Sequence, residues 1–210
     1  GFQSRVVSSG DNLGPLRIGF FYGIIAVLVA LAADLRFLFI DPEVTPDWVL
    51  TAIEEFRTQL ALTAILFLGI LAAIRTQPTR VDPDVPYRSL LLRDCVLAAT
   101  VVAVMAGLAL FVATALNATL FADEIRTYAS DATPSIVAYN EKVAGRLEDP
   151  PPLPPAAEIE EDLQPPVLRD LGRSLANLVL RAVIVGAAGA AVGLARGRSG
   201  PSGGPKPRQE

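Results

Sequence analysis

Residues 95–116 read CVLAATVVAVMAGLALFVATAL, without one charged side chain. A helix needs about 20 consecutive apolar residues to cross the hydrocarbon core of a bilayer. Three more stretches approach that length: Ile18–Ile40, Phe56–Ile74 and Ser174–Ala195. In lipid every backbone amide needs an internal partner, so such runs must be helices. Barrel strands alternate with period two, and these runs do not. The expected fold is therefore all-α: a polytopic membrane protein with four transmembrane helices and a Pro-rich, partly helical extracytoplasmic segment between helices three and four. The 51% apolar content of the 210 residues agrees with that class and exceeds ordinary soluble usage. Four buried helices of a soluble bundle are the weaker reading, since their apolar runs would be broken by polar faces.

The expected organisation follows from these runs. Residues 1–16 read as a mobile cytoplasmic tail, 17–121 as three spans, 122–170 as the extracytoplasmic segment, 171–196 as the fourth span and 197–210 as a disordered cytoplasmic tail. Residues 1–14 have the wrong charge and apolar order for a signal peptide. The chain opens on Gly1 and not on Met, which leaves open whether residues precede it.

Charge sets the expected orientation. Arg75, Arg80, Arg88, Arg93, Arg196 and Arg198 flank one set of connections, while Asp41, Glu43, Asp47, Asp123, Glu124 and the run Glu158–Asp162 lie in the other. Short loops rich in Arg and Lys stay in the cytoplasm, which places both termini there, in the plasma membrane.

The second helix is expected to start at a Thr45 N-cap with Pro46 in its first turn, and to carry Trp48 to the membrane interface. Helices one and two would then form a hairpin turning near Asp41–Thr45. Counting from that turn brings Asp34 and Arg36 to the depth of Glu54, Glu55 and Arg57. Charges at membrane depth cost ~2.5–3.5 kcal/mol each at the helix centre and usually pair or face water. The expected pairs are Asp34 with Arg57, and Arg36 with Glu54 or Glu55. Arg181 in the fourth helix either snorkels to the headgroups or reaches Asp34.

Small residues mark the packing faces. Gly186, Gly189 and Gly193 in the fourth helix match Ala99, Ala103 and Gly107 in the third. Such rows let backbones approach closely where lipid offers no hydrophobic drive. They are expected to meet each other or to form a seam with another protein.

In the extracytoplasmic segment, Phe121–Tyr128 extends the third helix. Thr133-Pro134 then opens a short amphipathic helix bearing Ile136, Tyr139, Val143 and Leu147 on one stripe. Asp149–Pro155 is a polyproline II spacer, and Glu158–Leu163 forms a helical turn or two. Asn117-Ala118-Thr119 matches a glycosylation acceptor, too close to the helix end to be used.

The chemistry is limited. No histidine is present, which removes imidazole catalysis and histidine metal sites. The lone Cys95 reads as a small buried residue, with palmitoylation the weaker alternative. No phosphate loop, nucleophile elbow or facing pair of intramembrane aspartates occurs. The expectations are no catalytic residue, no cofactor, no metal and no nucleic-acid partner. What remains is a non-catalytic subunit or scaffold, with lipid and other membrane subunits, or itself, as partners. The alternative is a small ion or solute transporter or channel using the charge cluster.

Overall fold

The computed structural model describes residues 14–77 and 86–198. Among them are six α-helices and no strand: α1 (Pro15–Asp34), α2 (Asp47–Arg75), α3 (Tyr87–Thr119), α4 (Ala122–Ala144), α5 (Ala156–Leu163) and α6 (Asp170–Arg198). α1, α2, α3 and α6 are long and apolar enough to cross a membrane. At 1.5 Å per residue, α3 with its 33 residues runs about 50 Å, well past the ~30 Å hydrocarbon core. Large apolar side chains point outward along these helices: Phe21 is 61% exposed, Leu28 62% and Val183 63%. Apolar surface on that scale suits lipid and not water.

α3 is the central helix of the bundle, packing on α1, α2 and α6. Its buried face includes Leu91, Cys95, Ala98, Ala99, Val102, Ala103 and Ala106. This predominance of alanine keeps the neighbouring helices close. Two glycines of α1 not singled out in the sequence do the same. A Cβ on Gly19 would lie 2.8 Å from the Ala98 carbonyl oxygen, and Gly23 lies against Met105.

α4 and α5 form a cap over one end of the bundle with its own apolar core: Leu50, Tyr128, Ala129, Ala132, Ile136 and Leu163, backed by Phe37, Ile40 and Ile159. Leu50 comes from α2, so the cap is held on the long helices and does not hang from a tether.

Several boundaries differ from expectation. The first helix stops at Asp34, where Leu35 leaves helical geometry, and Arg36–Leu38 form a 3-10 turn. The apolar run to Ile40 therefore divides, its last part serving the cap. α2 begins after Pro46, not on a Thr45 cap; the Thr45 hydroxyl instead donates to the Asp41 carbonyl, 2.6 Å away, and closes the hairpin turn. α3 ends at Thr119, and α4 is a separate helix after a break at Leu120–Phe121. Thr133-Pro134 does not open a helix, because α4 runs through Pro134. The proline leaves the Ser130 carbonyl without an amide donor, but Ser130 and Pro134 are exposed, so water can satisfy it. Thr133 is buried and donates to the Ala129 carbonyl. Pro155 at φ −62°, ψ 151° has polyproline II geometry, and α5 starts two residues before the expected Glu158. α1 and α6 extend slightly into the two expected tails; the rest of both tails, and Arg80 in the connection between α2 and α3, lie outside the described residues.

Candidate functional site

The charged residues gather where α1, α2 and the cap meet. The 3-10 turn after α1 aims Arg36 at Glu54, two turns into α2. Arg36 Nε donates to Glu54 Oε1 and Nη2 to Oε2, each at 2.5 Å. A two-pronged guanidinium–carboxylate pair is the strongest form of such contact. The Tyr128 hydroxyl of α4 donates to the same Oε1 at 2.8 Å. Arg36 also sits 5.7 Å from the centre of the Tyr128 ring, within cation–π range. Arg57 stands 3.7 Å from Glu54 Oε2. Burial, and then the Glu54 carboxylate beside it, pushes the Tyr128 phenol up from its ordinary value. Glu55, the other carboxylate expected for Arg36, is exposed and faces a different cavity.

Asp34 behaves differently. Among the described residues no ion pair within 4.0 Å reaches it or Arg181. The expected Asp34–Arg57 pair is an approach without contact: both line a 210 Å³ cavity with Arg36, Thr114, Asn117, Tyr128 and Gln164. Asn117 is 5% exposed, and its Oδ1 has no hydrogen-bond partner. Asp34, Arg57 and Arg181 together line a second cavity of 120 Å³ with Leu62, Ile65 and Leu110. Arg181 also lines a third, of 90 Å³, between α2 and α6.

A wider groove of about 830 Å³ separates α2 from α4 and the proline arm. Ile136, Tyr139, Val143 and Leu147 line one wall, Leu153 and Ile159 the other, and Glu55, Arg57 and Asp162 add charge. The stripe foreseen on α4 thus faces this groove.

The small-residue rows lie away from the charges. A Cβ on Gly189 would fall 2.7 Å from Ala99 Cβ and 2.8 Å from the Cys95 carbonyl oxygen. Gly193 abuts Leu92 and Cys95, and Gly186 abuts the Thr100 hydroxyl. Ala103 is fully buried, and Gly107 receives Leu178 and not a glycine of α6. The α6 glycines thus pack on α3, but the two rows meet only at Gly189 and Ala99; Gly186 and Gly193 rest on Thr100, Leu92 and Cys95 instead.

Three polar residues at the bundle ends carry more than their spacing disclosed. Arg196 Nη1 donates to the Ala73 and Thr76 carbonyls at 2.9 and 2.8 Å, satisfying the last turn of α2. Cys95 is fully buried, its thiol donating to Ala73. Asp94 of α3 is 1% exposed and accepts from Arg93. Arg196 lies two residues inside the end of α6 and Asp94 seven residues inside the start of α3, positions that topology counting treats as loop. Tyr128 gave no local signal, because its partner Glu54 is 74 residues away.

Among the described residues no group of three metal-ligating side chains occurs. The class these features define is an all-helical protein with four helices of membrane-spanning length and a helical cap latched on by a buried charge network. No family model, no curated protein and no solved structure matches the chain.

Proposed function

We propose that the chain is a non-catalytic integral membrane subunit or scaffold that presents its cap as a docking arm. The observation that carries this reading is the 830 Å³ groove between α2, α4 and the proline arm. Its walls carry Val143, Leu147 and Leu153, which are 38%, 51% and 42% exposed. An apolar groove with a charged rim has the anatomy of a protein-binding surface. The bundle below it is packed through alanine and glycine, and the Arg36–Glu54–Tyr128 network fastens the arm in place.

The orientation belongs to the same proposal. Arg75, Arg88, Arg93, Arg196 and Arg198 lie at the end away from the cap. Short basic connections stay in the cytoplasm, so both termini lie inside the plasma membrane and the cap outside.

The test is the mass of the particle extracted in mild detergent, with a photo-crosslinker placed at Leu147 or Leu153. The expected result is a particle of fixed composition heavier than the 22.2 kDa chain, one discrete crosslinked product, and loss of both in Leu147→Arg. A stable monomer without a crosslinked product overturns the proposal. The second reading, a small ion or solute transporter or channel, draws on the cavities that share Asp34, Arg57 and Arg181. Solute flux from purified protein in liposomes, abolished by Asp34→Asn, would favour it.

A further inference from the structure

The three small cavities beside the charge cluster form a linked series. The 210 Å³ cavity is polar and shares Asp34 and Arg57 with the 120 Å³ cavity. That one shares Leu62, Ile65 and Arg181 with the 90 Å³ cavity, whose other walls are Thr63, Leu66, Ile184 and Val185. Polar groups thus lie toward the cap, cations in the middle and apolar side chains toward the bundle centre. Leu62 and Ile184 are 41% and 46% exposed, so the lower part opens sideways onto the surface where lipid chains lie.

The charges do not balance. The cluster holds Arg36, Arg57 and Arg181 against Glu54 and Asp34, an excess of one positive charge. Glu54 is taken up by Arg36 and Tyr128. Arg181 has no partner within 4.0 Å among the described residues. An unmatched charge shielded from water is strongly unfavourable and calls for a counter-ion. In the upper cavity Asn117 Oδ1 is buried without a partner, and Asp34 lines the same space.

We propose that this series is a binding site for one phospholipid with an anionic, hydroxyl-bearing headgroup. The phosphodiester sits between Arg57 and Arg181 and supplies the missing negative charge. Headgroup hydroxyls occupy the upper cavity and donate to Asn117 Oδ1 and Asp34. One acyl chain follows the crevice between α2 and α6 past Leu62 and Ile184. Guanidinium groups suit this role, because they present forked donors to phosphate oxygens. The depth agrees: Arg181 lies ~16 Å along α6 from Asp170, and its side chain tilts back toward the cap end. This inference does not depend on the docking groove, which shares only Arg57 and Thr58 with these cavities.

The experiment is native mass spectrometry of the full chain in mild detergent, with phosphatidylglycerol, phosphatidylcholine or soluble glycerol phosphate added in turn. The expected result is one phosphatidylglycerol retained at least tenfold more tightly than phosphatidylcholine, with no comparable retention of glycerol phosphate. Arg181→Gln should reduce that preference by at least tenfold, whereas Arg198→Gln at the opposite end should leave it unchanged. Should Arg181→Gln fail to fold, Ile184→Trp blocks the mouth of the crevice without touching a charge and should also reduce retention. Equal retention of the two lipids, undiminished phosphatidylglycerol retention in folded variants, or glycerol phosphate bound as tightly as the lipid overturns the proposal.

Discussion

Arg36 and Glu54 face each other with both guanidinium–carboxylate hydrogen bonds formed, and their side chains are only 9% and 7% exposed. Eighteen residues separate them along the chain, and the hairpin between α1 and α2 brings them together. Breaking such a pair by removing one member leaves a charge buried without compensation, at about 3–5 kcal/mol. Glu54→Ala should therefore release the cap, and limited proteolysis between α4 and α5 should become much faster. Replacing both members together, as Arg36→Met with Glu54→Leu, should recover part of the lost thermal stability, the remainder being the contacts that the Tyr128 hydroxyl and Arg57 make with Glu54. If Glu54→Ala digests like the parent, the pair does not hold the cap.

Tyr128 carries a pH signature. Its phenol is raised above the ordinary value of 10, first by burial and then by the adjacent Glu54 carboxylate. A group raised on folding contributes stability that is fully present below the unfolded value and is lost as pH rises toward the folded one. The cap should thus be insensitive to Tyr128 up to pH 10 and weaken above it. Tyr128 should show its phenolate absorbance as a late step, above pH 10. Tyr128→Phe should remove that late step and lower stability by about 1.5–3 kcal/mol, the range for a hydrogen bond to a charged acceptor. A high-pH absorbance titration of the folded protein left unchanged by Tyr128→Phe would contradict this.

The four long helices were legible because each comes from a long apolar run of the length a bilayer demands, and residues 95–116 carry no charge at all. The hairpin was legible too, since counting from its turn put Arg36 level with Glu54. What the residues could not disclose depends on contacts far apart in the chain. The end of α1 at Asp34 is set by a turn that must carry Phe37 and Ile40 to the cap core. Thr133-Pro134 has the composition of a helix start, yet tertiary packing of Ala129, Ala132 and Ile136 carries α4 straight through it. Asp34 and Arg57 were placed at the correct level, but level alone does not say whether two side chains touch.

Pro134 offers a test of that override. A proline inside a helix removes one hydrogen bond and crowds the preceding turn, at ~3 kcal/mol. Pro134 is exposed, so Pro134→Ala gives the Ser130 carbonyl its donor back without disturbing the core. The variant should raise the melting temperature. A lowered value would mean that α4 needs the bend a proline imposes.

The seam between α3 and α6 gives the sharpest contrast. At Gly189 an added Cβ meets Ala99 and the Cys95 carbonyl, and one of those neighbours is backbone that cannot swing aside. At Gly172, in the first turn of the same helix, nothing lies within 4 Å. Gly172→Ala should therefore be neutral or stabilising by up to about 1 kcal/mol, the helix-propensity difference. Gly189→Leu forces α3 and α6 apart and should lower the melting temperature markedly, with Gly193→Leu acting alike. Thermal unfolding of the three variants in one detergent checks this, because micelle effects cancel among them. If Gly189→Leu melts with the parent, the two helices do not pack through that glycine, and its row is free to serve as a seam for another protein.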